Sequence, residues 1–208
     1  MAKNVLDLYQ QHFVDKRDER LELFVLLADH FALRSALYPG SFTHLTPAFV
    51  FPVACFVDTD RRAARFFQDP SVPSFVKERR LHDEEPVVRF HRSDYSQGFD
   101  EDDGIFDLLI SQYAGFVSQE CKRYLRVNGY LLANNSHGDA GMASIDPDYQ
   151  LVATISRRGE RYRLSEKDLG SYFVPKKDID VTREYLERTK RGVGYKTTAF
   201  SYVFKRLR

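Results

Sequence analysis

The sequence predicts a doubly wound α/β fold whose sheet is mostly parallel and closes with antiparallel strands near the C-terminus. Three observations predict it. Short apolar runs alternate with helix-forming segments from residue 35 to residue 134, the central runs are continuously apolar, and beyond residue 150 the pattern becomes mainly strands joined by a turn.

Taken in order, Leu21, Phe24, Val25, Ala28 and Phe31 recur at helical spacing, with Asp15 or Asp18 as a cap, so a helix is expected over 21–31. Ser35-Ala36-Leu37-Tyr38 reads as a strand stopped by the turn Pro39-Gly40-Ser41. Thr46-Pro47 starts a helix that Pro52 keeps short. Val53 to Val57 is a strand buried on both faces, and a helix follows over 61–67. A second helix over 75–80 leads to a strand over 87–91. The acidic loop 100–103 precedes a strand over 106–111, and a helix is expected over 116–125, ended by Asn128-Gly129. Tyr130 to Asn134 is a fifth strand, followed by a loop over 135–143. Two strands over 150–155 and 161–164 flank a turn at Arg157-Arg158-Gly159-Glu160, a polar helix covers 181–189, and Thr198, Phe200, Tyr202 and Phe204 share one face of a last strand over 197–204.

Composition bounds the class. The chain has 208 residues, 43% of them hydrophobic and 29% charged, which suits a single domain over 1–208 with an N-terminal helical segment at 1–33. Thirty-one basic residues against thirty acidic ones leave a net charge of +1, so no global field points to nucleic acid or to an anionic membrane. The two cysteines, Cys55 and Cys121, sit in apolar segments far apart, and no basic-then-apolar leader opens the sequence, so a reduced, cytoplasmic protein is expected. His12, His30, His44, His82 and His91 show no ligand spacing, and no structural metal is expected. The phosphate loop of nucleotide triphosphatases, the nucleophile elbow and the deaminase pattern are all missing. The basic stretch Lys190 to Lys196 is read as a solvated connection.

In a doubly wound sheet, ligands bind beyond the carboxyl ends of the strands. The residues there are Tyr38, Pro39, Gly40 and Ser41; Asp58 and Asp60; Asp94; Ser111, Gln112 and Tyr113; and Asn134 and Asn135. Gly40 permits a tight turn. Asp58 or Asp60, about twenty residues later, is placed to accept hydrogen bonds from a ribose diol, although Asp60 equally suits a helix cap. Asp94 can accept from an adenine amine, and Tyr38 and Tyr113 can offer aromatic faces to a ring or a cation. His137 and Asp139 suit a base and its orienting acid, or simply a loop.

In the order and spacing of these elements the chain resembles the class I S-adenosylmethionine-dependent methyltransferases, a Rossmann-like family, over roughly 34–155. The resemblance implies S-adenosylmethionine as cofactor, with Tyr38, Pro39, Gly40 and Ser41 in the loop position, Asp58 or Asp60 on ribose, and Asp94 facing adenine. It places Ser111 and Tyr113 beside the cofactor and a small-molecule acceptor near Gln112, Asn134 and Asn135. The sequence departs from the pattern in keeping a single loop glycine, in Leu37-Tyr38 where an acid usually precedes the loop, and in the prolines Pro47 and Pro52 of the next helix. Ser111-Gln112-Tyr113-Ala114 also lacks the Asx-Pro-Pro-aromatic motif of enzymes that act on base or amide nitrogens. A degenerate, non-catalytic binding domain is therefore one rival expectation. A nicotinamide-dinucleotide oxidoreductase is the other, disfavoured by the missing G-x-G-x-x-G.

Overall fold

The computed structural model describes residues 5–208; the first four positions of the segment expected to be helical at 1–33 lie outside them. The elements are α1 (Leu6–Tyr9), continued by a π-turn at Gln10–Val14, then α2 (Leu21–Phe31), β1 (Ser35–Pro39), α3 (Pro47–Val50), β2 (Val53–Val57), α4 (Arg61–Gln68), α5 (Ser71–Arg79) and β3 (Val87–His91). There follow a 3-10 turn at Tyr95–Gln97, β4 (Phe106–Ser111), α6 (Val117–Glu120), a 3-10 turn at Lys122–Tyr124, β5 (Leu125–Ala133), α7 (Asp139–Ile145), β6 (Tyr149–Arg158), β7 (Arg161–Ser165), α8 (Arg183–Thr189) and β8 (Ser201–Arg206).

The eight strands form one sheet in the order β3-β2-β1-β4-β5-β8-β6-β7. β1 to β5 pair in parallel, while β8 runs antiparallel to both its neighbours and β7 antiparallel to β6. The expected doubly wound, mostly parallel sheet with antiparallel C-terminal strands is the observed one.

The period of two along a strand sorts side chains between two cores. Ala36, Tyr38, Ala54, Phe56, Leu108 and Ile110 pack beneath α2, α3, α4 and α5. Leu37, Cys55, Val57, Leu109, Leu131 and Ala133 face α6 and α7 on the other side. Because the central strands are covered twice, they read as unbroken apolar runs. No helix among the described residues is long and apolar enough to cross a membrane.

Five expectations need correction. The helix expected over 116–125 stops at Glu120, and β5 already starts at Leu125, so Asn128-Gly129 is not a helix end but an irregularity inside a strand. The register there jumps from Phe106↔Leu125 to Leu108↔Tyr130. Buried Cys121, Tyr124 and Leu125 draw the chain down onto the sheet early, Asn128 takes a φ of 66°, and a Cβ at Gly129 would meet Arg126 O and Leu125 Cδ1 at 2.8 Å. The loop expected over 135–143 contains the first turn of α7, whose small residues Ala140, Gly141 and Ala143 let it lie close to its neighbours; a Cβ at Gly141 would stand 2.8 Å from the Tyr195 hydroxyl. α5 starts at Ser71 rather than 75, with Pro73 tolerated in its first turn. The last strand starts at Ser201, leaving Thr198 and Phe200 before it. The β6–β7 turn narrows to Gly159-Glu160, with Gly159 at φ 65°.

α8 depends on its cap, because only Leu186 within it is buried. The Thr182 hydroxyl accepts from the Tyr185 N–H at 3.1 Å. Thr182→Ala is expected to lower stability by about 1 kcal/mol in chemical denaturation.

Candidate functional site

A cleft of about 530 Å³ opens at the carboxyl ends of β1 to β5. Its walls include Gly40, Asp58, Asp94, Tyr113 and His137 from the sequence expectation, together with Tyr95, Phe116, Glu120 and Lys190.

The β1 end is held tightly. Gly40 has a φ of 68° and donates its N–H to Val57 O at 2.8 Å, while a Cβ on it would sit 3.0 Å from Ala114 Cβ. Both facts select glycine there. Asp58, just beyond β2, accepts from the Phe42 N–H at 2.7 Å on one oxygen and from the Asp60 N–H at 2.8 Å on the other. The carboxylate thus joins the β1 turn to the β2 end and is fixed in orientation. Phe42 and Tyr113 adopt φ values of 48° and 60°, and such strained non-glycine residues cluster where loops are shaped for a ligand.

Asp60 does different work. It caps α4 by accepting from the Arg62 N–H at 2.7 Å and pairs with the Arg62 guanidinium at 2.7 Å; the Arg62 side chain holds its carboxyl below the usual range. It does not line the cleft. Asp94 caps the 3-10 turn through one oxygen, Oδ1, which accepts from the Ser96 N–H at 2.9 Å and the Ser96 hydroxyl at 2.8 Å. The Ser96 backbone N–H, then its hydroxyl, keep that carboxyl ionised to lower pH. Across the floor, the Tyr95 hydroxyl accepts from the Gly115 N–H at 3.1 Å and ties the β3 loop to the β4 loop.

Several expected site residues lie beneath the cleft instead of in its wall. Tyr38 is buried, its hydroxyl 3.3 Å from His44 Nδ1. Pro39 ends β1, and Ser41 is buried in the turn behind it. Gln112 is 2% exposed, donates to the Ser201 hydroxyl at 3.0 Å, and accepts from Asn134 and from Arg20. Arg20 is sealed between Asp18 and the Tyr113 ring, 5.0 Å from its centroid. Asn134 accepts from Ser136, and Asn135 donates to Val193 O at 2.9 Å.

The expected His137–Asp139 pair is not formed. His137 faces the cleft and hydrogen-bonds the Ser136 hydroxyl through Nδ1 at 3.0 Å. Asp139, 1% exposed, is the first residue of α7 and accepts from the hydroxyls of Ser111 and Ser118, each at 2.5 Å, and from the Ser118 N–H at 3.0 Å. Ser111 therefore belongs to this buried knot, which clamps the β4–α6 and β5–α7 loops together under the cleft. Burial pushes the Asp139 carboxyl up to about 6, against the opposing pull of the two serines.

Strand-end logic reached Gly40, Asp58, Asp94 and Tyr113. It missed Glu120 and Lys190, because neither follows a parallel strand directly; Lys190 closes α8 in the left-handed conformation. The only sequence signal for Lys190 was its place in a basic, glycine-containing loop.

No family model matches the chain, and no curated protein matches it in sequence. Solved structures do match it in shape. A provisionally assigned caffeoyl-CoA O-methyltransferase from Staphylococcus aureus superposes with a TM-score of 0.52 at 11% identity, covering 79% of this chain and 91% of that one. A provisionally assigned O-methyltransferase from Klebsiella pneumoniae gives a TM-score of 0.51 at 14% identity, covering 79% and 88%. The fold is that of the class I methyltransferases. The cleft lies where the strand ends of a doubly wound sheet receive a ligand, and β7 forms the far edge of the sheet.

Proposed function

We propose that this chain is an S-adenosylmethionine-dependent methyltransferase acting on a small molecule, with the adenosine half of the cofactor held between Asp58 and Asp94. The observation that carries this reading is the Asp58 carboxylate. It stands in the cleft wall at the end of β2, pinned by two backbone N–H groups. A carboxylate offers about four acceptor positions, so two remain, which is what a ribose diol requires. Asp94 spends only Oδ1 on Ser96, and its other oxygen suits an exocyclic amine. Asp60, committed to α4 and Arg62, is released from the ribose role.

When bound, S-adenosylmethionine supplies a methyl group on a cationic sulfonium. The chain's part is orientation, which needs no protein nucleophile. Gly40 lets the backbone approach the ligand closely, and the half-exposed Tyr113 ring offers an aromatic face at the β4 end. His137 keeps Nε2 free of Ser136 and is the candidate base for an acceptor hydroxyl. Acceptor contacts then fall to His137, Phe116 and Lys190. Gln112, Asn134 and Asn135 shape the wall from behind.

Calorimetry on the full chain tests the reading. S-adenosylhomocysteine is expected to bind with one-to-one stoichiometry and nicotinamide dinucleotide to give no heat. Absence of binding by both S-adenosylmethionine and S-adenosylhomocysteine overturns it. The lone loop glycine and the four-residue α3 favour one second reading, a domain that binds the nucleoside without transferring methyl groups. Binding of S-adenosylhomocysteine with no methyl transfer from S-adenosylmethionine to hydroxyl, amine or thiol acceptors selects that one.

A further inference from the structure

On the opposite side of the β2 and β3 ends from α4, three donor atoms of different chemistry converge. The register sets Cys55 beside Arg89 and Val57 beside His91, so Cys55, Arg89 and His91 project from one face of the sheet. The segment between the Tyr95–Gln97 turn and β4 crosses this face and sends Glu101 down into it, with its side chain 6% exposed. Glu101 Oε1 is 2.9 Å from His91 Nε2, 3.4 Å from Cys55 Sγ and 2.7 Å from Arg89 Nε.

We propose that Cys55, His91 and Glu101 form a binding site for a thiophilic divalent cation of the zinc type. Thiolate sulfur, imidazole nitrogen and carboxylate oxygen are the donors such ions take, at about 2.0–2.3 Å, which sets the donor atoms about 3.3–3.7 Å apart around a tetrahedron. Oε1 stands 2.9 Å from Nε2 and 3.4 Å from Sγ, and all three atoms lie within 4.8 Å of one another, so side-chain adjustment brings the set to that shape. Three protein donors leave a fourth position for water. The residues come from β2, β3 and the loop after β3, so no local sequence spacing announces them. Selection falls on a zinc-type ion because the buried sulfur is a poor partner for calcium or magnesium.

The charge balance is simple. As the sulfur–metal bond forms, the Cys55 thiol proton leaves to solvent. The Arg89 guanidinium gives up its bond to Glu101 and swings outward, a move open to it because its side chain is already 37% exposed. Thiolate and carboxylate then neutralise the dication. The ion would anchor the end of β3 next to the proposed nucleoside cleft, where the Asp58 N–H donates to His91 O at 3.1 Å, yet its binding requires no occupant in that cleft.

Cobalt(II) titration of the metal-stripped full chain tests the site, with zinc added afterwards. Wild type is expected to show a sulfur-to-cobalt charge-transfer band saturating at one equivalent and bleached by zinc. Cys55→Ser should lose the band, and His91→Gln, at a side chain that is 23% exposed, should weaken binding at least tenfold. Arg89→Gln should bind several-fold tighter, since it removes the competing cation. No stoichiometric band in wild type overturns the proposal. A band that survives in Cys55→Ser overturns it too, because the sulfur would then be Cys121, and so does unchanged affinity in His91→Gln. In those cases the cluster is an ion-pair latch alone.

Discussion

Asp58→Ala is expected to weaken S-adenosylhomocysteine binding by about 100-fold or more. Two hydrogen bonds from a ribose diol to an ionised carboxylate are worth about 3–6 kcal/mol together, and each 1.4 kcal/mol is about tenfold in affinity. The substitution also frees the Phe42 and Asp60 N–H groups, so some loss of stability accompanies the loss of affinity. Asp60→Ala separates the two effects. It removes the cap of α4, costing about 1 kcal/mol of stability, yet is expected to leave affinity within about threefold because that side chain is turned to Arg62. Calorimetric titration of both variants, alongside denaturant unfolding, reads each quantity directly. Equal affinities in wild type and Asp58→Ala would refute the ribose assignment, as would a larger loss in Asp60→Ala.

The same pair of acids shows what the sequence made legible. β2 reads as a strand because five apolar residues in a row fit only a strand covered on both faces, and the acid after it marks its emergence. That placed both aspartates at the site. Which one faces the cleft depends on where α4 begins, and a cap is decided by one backbone hydrogen bond that the letters Asp-Thr-Asp leave open. β5 was half legible for a related reason. Its apolar core from Tyr130 onward was plain, whereas Arg126 to Gly129 bulge away from β4 in a way that only the pairing register reveals.

α7 was missed altogether. Asn135 to Gly138 look like a loop and are one, but Asp139 through Ala143 combine an acid, a glycine and small residues that carry no amphipathic stripe of their own. Their helix is stabilised by contacts from far away in sequence, with Leu186 and Tyr195 on one side and Ser111 and Ser118 on the other. Local reading instead joined His137 to Asp139, two residues apart, as base and orienting acid. The chain separates them across the floor of the cleft, so the histidine faces the ligand space and the carboxylate clamps the loops that form it.

That clamp makes the second large prediction. Among the described residues no cation pairs with Asp139, and burial raises its carboxyl from 3.8 to about 6, partly offset by the Ser111 and Ser118 donors. The folded state therefore holds a proton that the unfolded state has already lost between those two values. Below about pH 3.8 both states are protonated and the group contributes nothing; as pH rises through the window stability falls, and above about pH 6 the full cost is present. At about 1.4 kcal/mol per pH unit this amounts to about 3 kcal/mol. The quantity to measure is the difference in unfolding free energy between wild type and Asp139→Asn as a function of pH, which cancels every group the two proteins share. The asparagine removes the titration, and whatever its hydrogen bonds cost is the same at every pH. The variant is expected to gain about 3 kcal/mol relative to wild type between pH 3.5 and pH 7, and a flat difference curve would show that the carboxyl titrates normally. Because the carboxylate accepts from Ser111 and Ser118 and so joins the two loops that carry Tyr113 and His137, the cost of burying its charge at neutral pH is carried in the floor of the cleft, where a ligand of the proposed kind has to be oriented.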